Sequence, residues 1–326
     1  MQRFKNIICV VNTELNDISA LEHAAKLAAN NQAILTVVEV IDEIPPNTTL
    51  LERTLSPVDL QEKIVIEHQK KLEEMVSPWR NKIGIKFKVL AGILFLEVIY
   101  EVLRNGHDLV FKMAESGGLL NRVFGSDDMH LLRKCPCPVW LVKPKSPKIY
   151  QRILAAVDVG EDYPLDELNT RNLLNIQVLE MASSLTLSES AELHIVHVWD
   201  AIGEGAMRHG FIHTPEDEID AYVEKIRRKH NHNLKTLLGE ITDKLGRDSL
   251  QYIRPKIHLI KGHPKIDVPK FAEKMNTDLV VMGTVARTGL SGFFMGNTAE
   301  SILNQLDCSV LAVKPQGFVT PVILDE

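Results

Sequence analysis

Asn6-Ile7-Ile8-Cys9-Val10-Val11-Asn12 and Arg152-Ile153-Leu154-Ala155-Ala156-Val157-Asp158 decide the fold. Each is a short apolar run closed by a small polar residue, the composition of a strand covered on both faces of a parallel sheet. Working outward, the two runs open two copies of one pattern. Ala33 to Asp42 answers Ala191 to Asp200, Lys86 to Gly92 answers Lys256 to Gly262, and Asp108 to Phe111 answers Asp278 to Val281. The closing pair is Cys137 to Pro144 with Cys308 to Pro315.

Between these runs the apolar period becomes that of a helix. Ala20, Leu21, Ala24, Ala25 and Ala28 line one face early in the first copy; Ile219, Val223, Ile226, Leu234, Leu237, Ile241 and Leu245 line a longer one in the second. His230 falls on that seam and reads as a hydrogen-bonded core or boundary histidine rather than a ligand. The alternation gives an α/β chain of two tandem Rossmann-like domains, residues 1–146 and 151–326, each a five-stranded parallel sheet with helices on both faces. Ser146 to Gln151 is the connector. Val139 to Lys143 and Val310 to Lys314 are expected to pair as edge strands, forming a pseudo-dimer within one chain and leaving a homodimer of such chains open.

Composition narrows the function. With 45% hydrophobic and 25% charged residues in 326, the chain is an ordinary globular protein long enough for two cores. A formal net charge of −6 supplies no basic footprint for a phosphate backbone, so nucleic acid is excluded as a partner. The longest apolar run, Ala91 to Leu103, is broken by Glu97 and Glu101 and is shorter than the roughly 20 residues that cross a bilayer. No membrane partner is expected. The apolar stretch Ile7 to Val11 is too short for a secretory signal, and Cys9, Cys135, Cys137 and Cys308 read as buried reduced thiols, which places the chain in the cytoplasm.

In an open parallel sheet a ligand binds beyond the carboxyl ends of the strands, where the strand order reverses. In the second copy those ends carry Asp158, Val198 to Asp200 and Gly283-Thr284-Val285-Ala286-Arg287-Thr288-Gly289, followed by Gly296-Asn297-Thr298-Ala299-Glu300 at the start of a helix. Glycines before a helix let backbone amides approach an anion. Asn297 is expected to cap that helix, with Glu300 at the reciprocal position.

These residues resemble the universal stress proteins, and the two-copy arrangement is similar to that family's tandem E-type branch. The resemblance covers nearly the whole chain. It implies a Gly-x2-Gly-x9-Gly-Ser/Thr loop that wraps the ribose and phosphates of ATP, and an aspartate after the first strand on the adenine side. Carried onto this sequence, Asp158 fits the aspartate, Gly283 the first glycine and Gly296 the third; Ala286 replaces the second glycine and Asn297 the hydroxyl residue. If the second glycine needs a positive φ, alanine there costs roughly 1–2 kcal/mol, about tenfold in affinity. The nucleotide-binding set so implied is Asp158, Val198, Gly283, Ala286, Gly296, Asn297 and Thr298, with ATP or a related nucleotide as the small-molecule ligand and no catalytic residue.

The first copy departs further. Met113 and Ser116 stand for the two leading glycines and Asn12 for the aspartate; Gly125-Ser126 remains, followed by Asp127 and Asp128 where amides would meet a phosphate. This copy is expected to reject triphosphates and to be mainly structural. Ser126, Asp127 and His130 resemble a triad in composition, but read as a serine cap with acidic first-turn residues. His194 and His197, three apart on a strand, point to opposite faces and cannot share a metal. Cys135 and Cys137 lack a second ligand pair for zinc. The implied function is a stress-response module that binds a ligand without turning it over. Two rivals use other residues: a carrier of a larger, partly apolar ligand, on Phe293-Phe294-Met295 and the segment Ile44 to Asp59, and a slow ATPase with Asp158 and Asp200 holding magnesium. Glu161, Asp162, Asp166 and Glu167 read as solvated loop charges, with a lid as the alternative.

Overall fold

The computed structural model describes residues 4–15, 18–45, 47–48, 56–115, 124–144, 146–210, 214–284 and 295–324, apart from the side chain of Asp166. In chain order the first half runs β1 (Asn6–Val11), α1 (Ser19–Asn31), β2 (Ile34–Ile41), α2 (Pro57–Val76), β3 (Ile85–Ala91), α3 (Leu94–Asn105), β4 (Leu109–Met113), α4 (Ser126–Lys134) and β5 (Val139–Val142). The second half runs β6 (Arg152–Ala156), α5 (Leu165–Glu189), β7 (Glu192–Trp199), α6 (Glu204–His209), α7 (Glu216–Leu245), α8 (Arg247–Ile253), β8 (Lys256–Lys261), α9 (Pro264–Lys274), β9 (Leu279–Gly283), α10 (Asn297–Leu303) and β10 (Ser309–Val313).

The chain divides into two compact units. One comprises Gln2–Lys148 with Ser309–Ala312 and Val319–Glu326; the other comprises Ile149–Cys308 with Val313–Phe318. In the first unit the strands are ordered β3-β2-β1-β4-β5 and run parallel, with Ile8 opposite Thr36 on one side and Val110 on the other. Residues 310–312 run antiparallel along β5, in the register Val310 to Leu141, Leu311 to Trp140 and Ala312 to Val139, so the expected edge pairing is present. In the second unit β8-β7-β6-β9 are parallel, with Ala155 between Ile195 and Val281, and the Thr284 amide donates to Val313.

The central strands are central because their side chains carry nothing that needs water. Ile7, Ile8 and Cys9 are fully buried, as are Ile153, Leu154 and Ala155. The alanine face of α1 lies against β1, where the absence of bulk lets helix and sheet backbones approach closely. α3 stops at Gly106, whose φ of 66° is left-handed, a conformation that costs glycine little. α7 buries Ile219, Leu234, Leu237 and Ile241, while Val223, Ile226 and Leu245 are half-buried. Cys9, Cys135 and Cys137 are buried thiols; the Sγ atoms of the last two are 3.6 Å apart, and burial pushes the Cys9 thiol far up.

Candidate functional site

Strand order reverses beside β6: from it the chain goes to β7 on one side and returns through β9 on the other. That is where a doubly wound sheet opens a crevice at its carboxyl edge. A cavity of about 520 Å³ lies there, in the second unit. Asp158 just after β6, Val198 in β7, Gly283 at the end of β9, and Gly296, Asn297 and Thr298 at α10 all line it. Six of the seven residues singled out in the sequence therefore converge. Ala286 lies outside the described residues, as do Ser116, Phe293 and Phe294.

The local geometry corrects two details. Asn297 is not the cap of α10: Gly296 occupies that position, Asn297 is the first helical residue, and no side chain caps the helix start. Ser126 likewise opens α4, with Gly125 as its cap. Both differences follow from where the glycine leaves extended backbone, one residue earlier than the polar side chain suggests.

Asp158 is held by residues that its sequence neighbourhood does not announce. Its Oδ2 accepts from the Tyr163 hydroxyl at 2.8 Å and pairs with Arg171 Nη1 at 3.0 Å, and its Oδ1 accepts from the Gly160 amide at 3.1 Å. The Arg171 guanidinium lies over the Tyr163 ring, 3.5 Å from the centroid. The Tyr163 hydroxyl is pushed up to about 12, by burial first and by the Asp158 charge next. Asn175 clamps the backbone of Asp158, accepting from its amide at 3.1 Å and donating to its carbonyl at 2.7 Å. Tyr163 and Arg171 both engage Oδ2, whereas Oδ1 holds the Gly160 amide, and we derive no step through a magnesium ion shared with Asp200. Glu167, read as a loop charge, is buried on α5 with its carboxylate 3.7 Å from Arg171; Glu161 pairs with Lys229 at 3.0 Å.

The deeper wall is imidazole and apolar surface. His197 Nδ1 is 3.2 Å from the Val157 carbonyl, and its Nε2 is 2.9 Å from His230 Nδ1; the His230 ring stacks on Trp199 at 5.8 Å. Burial pushes both imidazoles below their ordinary value. His194, on the opposite face, meets His258 instead, at 3.0 Å. Leu174, Ile202, Val268 and Ile302 supply apolar surface. The Thr284 hydroxyl oxygen is buried in this lining without a hydrogen-bond partner among the described residues, an arrangement that a bound polar ligand would satisfy.

The first unit carries a buried ion pair at the equivalent positions. Asp128 is fully buried at the third position of α4; its Oδ1 pairs with Lys112 Nζ at 2.7 Å, and its Oδ2 accepts from the Glu115 and Gly125 amides at 2.8 and 3.2 Å. Burial opposes the Lys112 charge, but Asp128 and Glu115 outweigh it and hold the ammonium above its ordinary value. By the repeat, Lys112 corresponds to Met282 and Asp128 to Ala299, and both of these line the second unit's cavity. A buried charged pair in one unit is therefore replaced by two uncharged lining residues in the other. His130 stacks on Phe95 at 4.3 Å.

A family model described as the universal stress protein family matches residues 3–143 and 150–314. The chain is similar to Universal stress protein E of Escherichia coli (strain K12), 30% identical over the whole of this chain and 99% of that protein. It is similar also to the E homolog of Haemophilus influenzae, 29% identical over 96% of this chain and 98% of that one. Among solved structures, a functionally unknown protein from Pseudomonas aeruginosa PAO1 superposes with a TM-score of 0.67 at 23% identity, covering 96% of this chain and 93% of its own. A universal stress protein from Archaeoglobus fulgidus DSM 4304 does so with 0.56 at 19% identity, covering 95% and 98%. No helix among the described residues is long and apolar enough to cross a membrane. Two matched copies of one α/β pattern, and relatives aligned from end to end, make this chain a tandem member of the universal stress protein family.

Proposed function

We propose that the chain is a ligand-responsive stress module of the cytoplasm, without turnover of its own, whose second unit binds ATP or a related nucleotide weakly and whose first unit is mainly structural. The observation that carries this reading is the convergence of Asp158, Val198, Gly283, Gly296, Asn297 and Thr298 on one cavity at the strand-order reversal. Its size, about 520 Å³, is in the range of small-molecule sites. The start of α10 carries Ala299 where α4 carries Asp128, so no carboxylate at that position repels a phosphate.

Thermal unfolding with added ATP, at two salt concentrations, tests the reading. A melting temperature that rises with ATP supports it, and a flat response overturns it, since a ligand specific for the folded state stabilises in proportion to its occupancy. The apolar wall of Leu174, Trp199, Ile202, Val268 and Ile302 favours a second reading, a carrier of a larger, partly apolar ligand. Mass spectrometry of material released on denaturing the purified protein separates the two: a plain nucleotide favours the first, an acyl-bearing molecule the second.

A further inference from the structure

We propose that His230 is a specificity-determining residue of the second unit's cavity, its Nε2 accepting a hydrogen bond from an amino N–H of the ligand's base. This rests on the nucleotide reading above. The polarity of the imidazole pair follows from its anchor. The Val157 carbonyl can only accept, so His197 Nδ1 carries the proton that it donates there at 3.2 Å. In a neutral His197 the Nε2 is then a lone pair, and His230 Nδ1, 2.9 Å away, must be the donor. The neutral His230 is left with a lone pair on Nε2. That atom has no hydrogen-bond partner among the described residues, and the residue lines the cavity. Burial, which disfavours the charged form of both rings, keeps this polarity at neutral pH.

The first unit builds the same device from other residues. Glu39 corresponds to His197 in the repeat, is buried, and holds His68 Nδ1 at 3.1 Å. The carboxylate accepts there, so a second helix-borne imidazole is tethered through Nδ1 by a residue of the second strand. In the second unit the tether places His230 over β6 and β7, whereas Gly296 and Asn297 lie beyond β9 on the other side of β6. A ligand with its phosphates toward α10 presents its base, and not its phosphates, to His230.

The test uses the full chain. Nitrogen-15 NMR of histidine-labelled, ligand-free protein at pH 7.5, with the His230 signals assigned by their loss in His230→Phe, should show a neutral ring protonated on Nδ1. Calorimetric titration with ADP, and with the purine riboside diphosphate that has hydrogen in place of the amino group, should show wild type favouring ADP by about three- to tenfold, the value of one net hydrogen bond. His230→Phe, which keeps a ring against Trp199, should erase the preference; His230→Gln, with an accepting oxygen, should keep it. A proton on Nε2, an imidazolium, or a preference that survives in His230→Phe overturns the proposal. If neither nucleotide binds, the nucleotide reading falls and the amine assignment with it, while the NMR result independently decides the polarity of the pair.

Discussion

Lys112 and Asp128 meet at 2.7 Å inside the first unit, and the residues at the same places in the second are Met282 and Ala299. A buried ion pair in one unit thus stands where the other has two uncharged residues that line its cavity. A buried pair of this kind is weak evidence of net stability, because desolvation offsets much of its attraction, but removing one partner strands the other.

Asp128→Ala should destabilise the first unit by about 3–5 kcal/mol, toward the lower end because Glu115 remains near Lys112 at 3.0 Å. Lys112→Met together with Asp128→Ala, which copies the second unit, should recover most of the loss. Urea unfolding followed by fluorescence checks both. A double variant no more stable than the single one would show that the two residues do not form an energetic pair.

Ala299→Asp should import the first unit's carboxylate into the second. A carboxylate about 6 Å from a phosphate charge costs roughly 3 kcal/mol at an effective dielectric near 20, on the order of a hundredfold in affinity. Ala299→Asn, similar in shape and uncharged, should lose far less. ADP titration by calorimetry distinguishes them, and equal affinity for the two variants would contradict the placement of the phosphate end.

Gly283 has a packing role. A Cβ built there would lie 2.4 Å from Leu174 Cδ2, so Gly283→Ala must displace that side chain, at a cost of about 1–3 kcal/mol. Leu174→Ala should relieve the clash, giving the double variant a coupling of at least about 0.5 kcal/mol relative to the sum of the single ones. A thermal-unfolding cycle measures it. Strict additivity would mean that the two residues do not compete for the same space.

Stability should also fall in mild acid. His197 and His230 are both lowered from the ordinary 6.5 by burial. In the unfolded chain they bind protons below about 6.5, whereas in the folded chain they resist, so their share of stability is complete above that value and declines as pH drops toward their folded values. Asp158, Asp162 and Glu161 face His230 and moderate the loss, whereas Lys229 adds to it. Replacing both rings by phenylalanine should flatten the slope of unfolding free energy between pH 7 and 5. An unchanged slope would place the proton uptake on other groups.

Much of this was legible in the residues. The strands announce themselves as short apolar runs because both sheet faces are covered, and the second copy repeats the first closely enough to place Asp158, Gly283 and Gly296 at one edge. The apolar seam marks His230 as buried and hydrogen-bonded, but neither its place in the cavity wall nor its partner is legible there: pairing with His197 depends on how α7 lies over β7, and no local spacing encodes that. Arg171 and Tyr163 were missed for the same reason, since a helix begins between them and only its packing brings the guanidinium over the ring. Lys112 was missed as well, although it carries a signal: a lysine within Leu109-Val110-Phe111-Lys112-Met113 is an anomaly in a covered strand and needs a buried counter-charge.

The run from Val310 to Ala312 travels with Val139 to Leu141 although 166 residues separate Lys143 from Ser309, whose hydroxyl accepts from the Lys143 amide. A gene cut at the boundary between Lys148 and Ile149 would not yield a faithful first half. That fragment would carry a bare row of backbone donors and acceptors along β5, inviting fibrils or non-native partners. Faithful separation calls for a circular permutation or a grafted hairpin that restores the missing segment.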